Sequence, residues 1–516
     1  MKTVRLIRNR PGVSIAPDGT RYSLPSQNEI DQQFAEIARR AEGKKVVVVQ
    51  GLGFVGSAVA ASIASATDRQ GRPLYFVVGI DQASSDSFWK IGKVNDGLVP
   101  GGSADIEFDR ILEQAVKERN NLCATASEEA YGIAETIVVD VPLDVVNTTV
   151  ELRSEIDINL REFETAIRAF ARKMRRDALI LVETTVPIGF CERRVLPLLK
   201  EERARRGIQQ PVLLAHAAER VTPGKNYVSS IRRFWRSFAG YDAASACRTR
   251  EFLASFIDAE SYPLYELHDM ASSEMGKVLE NSYRAMNIAF IHEWTLLAER
   301  ANINLWTVID GIRVRKGTHD NMRYPGFGVG GYCLTKDSLL AQWSATHLFK
   351  TDTVLELTLQ ALRINRKMPL HTLTLLSELL PDGLSDKTIL ICGVTYLPDV
   401  PDTRNSPTEI LLEELENAGA TVLVHDPAIR SWAERPFMVV QRDLVSALEE
   451  ADLVVFAVPH RDYEALQAEF LRRPLLIVDS NNVLTDIKAE EFHAAGCRIL
   501  GVGKGHWRAR GYHLAT

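Results

Sequence analysis

"VVVVQGLGFVG", residues 46–56, carries four consecutive valines into three glycines at the spacing G-x-G-x-x-G. An apolar, β-branched run of this length reads as a strand covered on both faces. The small-residue stretch "SAVAASIASA", which starts at Ser57, reads as a helix, and "LYFVVGID", residues 74–81, as the next strand. Strand, tight turn, helix and strand make a βαβ unit. In the loop Gly51-Leu52-Gly53-Phe54-Val55-Gly56 the glycines permit the turn and let a pyrophosphate approach the helix N-terminus. Asp81 ends the second strand, 25 residues after Gly56, where a carboxylate can accept both hydroxyls of a ribose and repel a 2′-phosphate. The predicted cofactor is therefore NAD rather than NADP. The alternative is a Gly-rich turn with a strand-end acid met by chance.

Outward from this unit, the apolar runs "TIVVDV", "ALILVETTV" and "PVLLAHA" alternate with helical stretches such as 149–175. That alternation predicts a parallel sheet with helices on both faces. Residues 267–303 carry apolar positions at helical spacing, broken only by Gly276, and predict a long central helix able to link two domains and offer a dimer face. From Asp386 strands and helices alternate again, through "KTILICGVTY", a helix over 407–418, "ATVLVHDP", "DLVVFAVP" and "PLLIVDS". The expected fold is α/β, with two Rossmann-like doubly wound domains joined by a long central helix and a helical dimerisation region. The boundaries expected are 1–44 for an N-terminal extension, 45–245 for the cofactor domain, 246–375 for the central region and 376–516 for the second Rossmann-like domain. The extension holds turn-forming pieces and a charged helical stretch, "NEIDQQFAEIARRAEGKK", and its role is not readable.

Composition narrows the classes of function. The 516 residues are 46% hydrophobic, as ordinary globular cores require, and the net charge of −6 comes from interspersed charges. No basic footprint for nucleic acid or a membrane surface is present. No apolar run approaches a membrane span and the N-terminus lacks the apolar core of a signal peptide, so a cytoplasmic protein is expected. The six cysteines are scattered, without the spacing of a zinc site or the density of a disulfide framework. No metal site is expected.

Taken together, "VVQGLGFVG", "VETTVPIGF", "AERVTPGK", "EMGKVLENSYRAMNIAFIHE", "PGFGVGGYCLTKD" and "GVTYLPDVPDTRNSP" resemble the UDP-glucose/GDP-mannose dehydrogenase family, the nucleotide-sugar 6-dehydrogenases. They stand in that family's order over about residues 45–500. The resemblance implies NAD on the first Rossmann domain and a nucleotide sugar, a UDP-sugar in particular, contacted largely by the second. It also implies a homodimer or higher oligomer, and a four-electron oxidation of the sugar's C6 alcohol to a carboxylate, with a product that feeds polysaccharide or glycoconjugate synthesis.

Such an oxidation needs a device at the aldehyde stage, because hydride leaves a tetrahedral adduct and not a free carbonyl. Cys333, within "GVGGYCLTKD", would add to the aldehyde as a thiolate, give a thiohemiacetal, and after the second oxidation a thioester that water cleaves. An average cysteine is an inert buried group; the family motif favours the nucleophile here. Lys277 and Asn281 lie four apart on the predicted helix and so share a face. Together they could hold the C6 oxygen as it becomes an alkoxide and later a tetrahedral oxyanion, with Leu279, Met286 and Phe290 expected as buried neighbours. Asp337 matches the family carboxylate that orients Lys277 or a water, and a helix cap is its alternative. Glu219 matches a substrate-site glutamate, or is an exposed loop acid. Thr185 matches a position near the nicotinamide. Arg404 matches an arginine reaching NAD, or forms a surface ion pair. The resemblance places Tyr324, Phe327, Gly328, Gly330 and Gly331 along the sugar-nucleotide pocket by backbone contact, with the glycines letting the loop wrap the sugar.

The match also departs. Leu143 stands where the family often has a threonine that serves the cofactor or the attacking water, a role then left to Thr148 or to water. Leu397 replaces a substrate-binding lysine, and Pro223 a second glutamate of the glucose-type members. "ERVTPGK" and Glu183 look like the branch that oxidises UDP-N-acetylhexosamines, whereas "CLTKD" is closer to the glucose branch. A UDP-N-acetylhexosamine is the favoured substrate and UDP-glucose the runner-up. A two-electron β-hydroxyacid-type dehydrogenase and a non-catalytic nucleotide-sugar sensor are the other readings; the second nucleotide-binding domain and Cys333 weigh against the former, and the retained Cys333, Lys277, Asn281 and Asp337 against the latter.

Overall fold

The computed structural model describes residues 12–146, 156–221 and 224–515. Thr148, much of the segment around it, and Pro223 lie outside them. Two compact units make up the described chain. One takes in the residues up to 146, 156–278 and 340–353; the other takes in 279–339 and the residues from 354 on.

The first unit is built on strands β3 (Val46–Gln50), β4 (Phe76–Ile80), β5 (Leu122–Thr125), β6 (Thr136–Val139), β7 (Leu179–Val182), β8 (Leu213–His216), β9 (Ser237–Gly240) and β10 (Tyr265–Glu266), after a short N-terminal hairpin of β1 (Val13–Ile15) and β2 (Arg21–Ser23). The sheet order is β10-β9-β8-β7-β6-β3-β4-β5, parallel throughout except for the β8–β9 pair. All five residues of β3 are buried, because helices cover both faces and leave no alternation in the sequence. The helix Phe54–Ala64 follows β3 and is buried from Gly56 to Ala64, which is why its sequence is nearly all small residues. Strand order reverses at β3, between β6 and β4, so the crevice at the carboxyl ends of β3 and β6 is a topological switch point.

The extension belongs to this unit. Its helix Gln27–Ala41 starts with a capping box between Ser26 and Glu29 and buries Ile30, Ile37 and Ala41. Gln33 Nε2 donates to the Ala124 carbonyl on β5, the outermost strand.

The second unit holds β11 (Thr388–Cys392), β12 (Thr421–His425), β13 (Val440–Gln441), β14 (Leu453–Phe456), β15 (Leu476–Asp479) and β16 (Arg498–Gly501). They form a wholly parallel sheet, order β13-β12-β11-β14-β15-β16, with a second switch point at β11.

The long helix is Met270–Arg300, 31 residues. Leu279 and Phe290, expected to be buried beside Lys277 and Asn281, are instead 63% and 46% exposed. Leu279 stands two residues from both, and a two-residue step on a helix turns a side chain to the opposite face. The buried face carries Val278, Ala285 and Ala289, while Leu279, Tyr283, Phe290, Trp294 and Leu297 make an exposed apolar stripe.

Candidate active site

At the carboxyl end of β3 the chain passes Gly51 at φ +96°, where a Cβ would stand 2.8 Å from the Asp140 carbonyl oxygen. A Cβ on Gly56 would stand 1.8 Å from the Gly51 carbonyl oxygen, so backbone packing requires glycine there. Above Gly53 a Cβ would meet nothing within 4 Å, and no side chain caps the helix at that residue. That opening at a helix N-terminus fits a pyrophosphate. Phe54 and Val55 pack on the core beneath the loop. Asp81 accepts from the Leu52 amide at 3.0 Å and the Gln82 amide at 2.8 Å, and Lys90 Nζ lies 3.2 Å from its Oδ2. A carboxylate fixed in this way at a strand end fits a ribose diol, so the loop and the acid suit a dinucleotide together.

Next to this loop lies a group of buried polar residues that sequence reading did not assemble. Both carboxyl oxygens of Asp140, just past β6, are buried without a hydrogen-bond partner. Burial, reinforced by the charges of Glu183 and Glu219, raises Asp140 well above the usual carboxylate range. Glu183, just past β7, is fully buried, with Arg236 Nη2 2.5 Å from its Oε1. The contact is an ion pair without hydrogen-bond alignment, and burial pushes Glu183 up to about 7 against the opposing pull of Arg236. His216, the last residue of β8, shares a 2.8 Å contact with Ser273 through Nδ1, and burial pushes it down to about 3. The signal for three of these residues was present in the sequence: Asp140, Glu183 and His216 each end or follow an apolar strand run, where α/β sheets collect their functional side chains, whereas Arg236 precedes β9.

Glu219 is buried, not an exposed loop acid. Its carbonyl accepts from Lys277 Nζ at 2.9 Å, its Oε1 lies 3.5 Å from the same nitrogen, and its Oε2 accepts from the Val221 amide. Thr185 is half-buried just after β7, beside Thr184, whose hydroxyl donates to the Val139 and Val141 carbonyls. Leu143 is fully buried, so the site expected to hold a hydroxyl has become apolar packing.

In the second unit Cys333 is exposed and opens the helix Cys333–Trp343. The positive end of an eleven-residue helix favours an anion at that position. Asp337 is the fifth residue of the helix and is not its cap; its Oδ2 accepts from Asn281 Nδ2 at 2.7 Å and its Oδ1 lies 3.1 Å from Lys336 Nζ. Asn281 and Asp337 are both buried. Cys333 is near enough to Tyr396 and Arg404 to influence both electrostatically. Arg404 grips Asp402 through two parallel hydrogen bonds of 2.9 and 2.6 Å and stands over the Tyr332 ring.

The glycines before Cys333 have a reason that needs no ligand. A Cβ on Gly328 would stand 2.6 Å from Pro407, one on Gly330 2.6 Å from the Tyr396 Cβ, and one on Gly331 2.7 Å from the Tyr396 ring. Phe327 is a core side chain, so only its backbone is open to a ligand. Tyr324 stacks on Trp306 and donates to Asp310 at 2.6 Å. Leu397 is half-buried, and its carbonyl accepts from the Thr395 hydroxyl.

The structure thus gathers Gly51, Gly53, Phe54, Val55, Gly56 and Asp81 on one loop and strand end, pairs Glu219 with Lys277, and pairs Asn281 with Asp337 in the helix that Cys333 opens. Lys277 and Asn281 occupy consecutive turns of one helix.

Three domain models of one family match the chain. The NAD binding domain of the UDP-glucose/GDP-mannose dehydrogenase family matches residues 44–233, its central domain 271–367, and its UDP binding domain 390–486. A UDP-N-acetyl-D-mannosamine dehydrogenase of Pyrococcus horikoshii is 28% identical over 89% of this chain and 99% of its own length. Another relative of that name, from Campylobacter jejuni, is 26% identical over 82% of this chain and 97% of its own. Among solved structures, the P. horikoshii UDP-D-ManNAc dehydrogenase aligns with a TM-score of 0.75 at 27% identity, covering 89% of this chain and all of that one. An NDP-N-acetyl-D-galactosaminuronic acid dehydrogenase from Methanosarcina mazei shares the fold, with a TM-score of 0.73 at 24% identity over 92% and 98% of the two chains.

Proposed function

The chain belongs to the UDP-glucose/GDP-mannose dehydrogenase family, and from that premise we propose that it oxidises the C6 hydroxymethyl of a UDP-linked N-acetylhexosamine, UDP-N-acetyl-D-mannosamine first among them, to a carboxylate. It is an NAD-dependent nucleotide-sugar dehydrogenase. The names of its relatives support the N-acetylhexosamine. The covalent route rests on one observation, the placing of exposed Cys333 at a helix N-terminus, with the buried Asn281–Asp337 pair one turn further on.

In this reading Gly51, Gly53, Phe54, Val55, Gly56 and Asp81 hold NAD, with Thr185 and Arg404 contributing, and NAD supplies the two-electron acceptor for each of two oxidations. Lys277 and Asn281 stabilise the C6 oxygen as the alcohol loses a proton and a hydride. The Cys333 sulfur then bonds to the aldehyde carbon, and the carbonyl oxygen takes up the negative charge facing the same two donors. Loss of a second hydride from that carbon leaves a thioester. Water adds to it, the carbon–sulfur bond breaks, and the acid and the thiolate separate. Asp337 keeps the Asn281 amide aimed throughout, and Glu219 anchors Lys277. The backbone from Tyr324 through Phe327, Gly328, Gly330 and Gly331 supplies contacts to the sugar nucleotide. The exposed stripe of Leu279, Tyr283, Phe290, Trp294 and Leu297 supports a homodimer through the long helix, since an apolar face of this kind is covered in solution. In this reading residues 1–44 form the extension, 45–245 the NAD domain, 246–375 the central region and 376–516 the sugar-nucleotide domain. Among the described residues no helix is long and apolar enough to cross a membrane.

The test is the NADH formed per sugar consumed, with UDP-N-acetylmannosamine, UDP-N-acetylglucosamine, UDP-N-acetylgalactosamine and UDP-glucose offered in turn, and the product weighed by mass spectrometry. Two NADH and a carboxylate from an N-acetylhexosamine are expected. A preference for UDP-glucose would overturn the substrate, and one NADH per sugar would overturn the four-electron course.

A further inference from the structure

The N-terminal hairpin, unread in the sequence, is fastened at three places along one segment of the cofactor-binding unit. Ser14, fully buried, donates from its hydroxyl to the Ser85 carbonyl at 2.7 Å and accepts from the Trp89 amide at 3.0 Å. Asp18, in the turn between β1 and β2, lies 2.5 Å from Lys93 Nζ, and the Thr20 hydroxyl is 3.2 Å from the same nitrogen. Tyr22 donates to Asp96 at 2.8 Å. Its ring lies where a Cβ on Gly92 would stand, 2.2 Å away, so the hairpin and the helix Phe88–Asn95 approach as closely as a glycine allows.

What this segment carries gives the contacts their meaning. It begins just after Asp81 and includes Lys90, which pairs with Asp81. Lys93, one helical turn beyond Lys90, is itself buried, and a buried ammonium without its counter-charge is costly. Its hydrogen bond holds Asp18 down at about 2, so the Asp18 carboxylate is charged at neutral pH. We propose that the β1–β2 hairpin is a positioning element of the cofactor site: Ser14, Asp18 and Tyr22 fix the Ser85–Asp96 segment and, through Lys90, the attitude of Asp81 toward the adenosine ribose. The inference rests on the dinucleotide occupying the Gly51–Gly56 loop and is independent of which sugar is oxidised.

The experiment uses the full-length protein carrying Ser14→Ala, Asp18→Asn and Tyr22→Phe together, and a second variant, Asp18→Lys with Tyr22→Ala, in which like charges force the hairpin off Lys93. NAD binding and UDP binding are each measured by calorimetry, and amide exchange is followed over residues 82–96. The expected result is an NAD dissociation constant raised about tenfold, UDP affinity within about twofold of the parent, and faster exchange over 82–96. Lys93→Arg, which keeps the charge, should keep NAD affinity. Unchanged NAD affinity in the Asp18→Lys, Tyr22→Ala protein would overturn the proposal. So would an equal loss of NAD and UDP binding, which marks general destabilisation. Because neither measurement involves the sugar, both stand apart from the test of the substrate.

Discussion

Asn281 Nδ2 donates to Asp337 Oδ2 at 2.7 Å, joining the long helix to the helix that Cys333 opens in one buried contact. The amide has one orientation under this bond, with its oxygen turned away from the carboxylate. Asn281→Ala should therefore do two things. Turnover should fall by about 10²–10³, the effect of losing one oxyanion donor, and stability by about 1–3 kcal/mol, since Asp337 loses a buried partner. Urea unfolding beside steady-state rates checks both; a turnover within twofold of the parent would remove Asn281 from the site.

Cys333→Ala should abolish acid formation, by a factor on the order of 10³ or more. NAD affinity should not change, because no part of the Gly51–Gly56 loop is altered. Product analysis after a single turnover decides the matter, and acid at the parental yield would sink the covalent route.

Arg236 and Glu183 are 2% and 0% exposed. Removing one member of so buried a pair leaves the other uncompensated, so Arg236→Met should lower stability by about 3–5 kcal/mol. Pairing it with Glu183→Gln should recover much of that loss, and a double-mutant cycle from denaturant melts measures the recovery.

Burial pushes His292 down to about 4, with nearby His371 adding to the effect. Folded, it is neutral over a range in which the unfolded chain, titrating near 6.5, takes up a proton. Stability from this group is thus present above about 6.5 and lost as the pH falls toward 4, by at most about 1.4 kcal/mol per pH unit. His292→Leu should gain on the parent as the pH drops from 7 to 5. Glu274, raised by burial to about 7, acts in the opposite sense, its protonated folded form favouring stability as the pH falls from 7 toward 4.5. Melts of both proteins at several pH values separate the two; a constant difference would refute the His292 assignment.

Local pattern was enough for what lies close in sequence. "VVVVQ" became β3 residue for residue, the dinucleotide loop followed it, and the helix carrying Lys277 and Asn281 runs from Met270 to Arg300. Short strands such as β9 and the edge strand β10 escaped because their four and two residues carry too little periodicity to separate from loop. The buried polar group escaped for a different reason. Asp140, Glu183, His216 and Arg236 stand far apart in the chain and meet only because β6, β7 and β8 end side by side and the antiparallel β9 starts beside them. The face of the long helix was misjudged at Leu279 and Phe290 because a helix apolar on two sides does not say which side the protein covers. Glu219 matched a substrate-site glutamate, but nothing local excluded an exposed loop acid, because its partner, Lys277, stands 58 residues further on.

The three glycines before Cys333 carry a lesson for anyone re-engineering the enzyme. Each is fitted to an atom of Tyr396 or Pro407, so the cysteine loop is moulded on the segment 393–407 as a casting is on its die. A chimaera that exchanges the C-terminal sheet for a relative's must carry residues 325–335 with it as one cassette. If it does not, the loop will collide with its new neighbour before any sugar is offered.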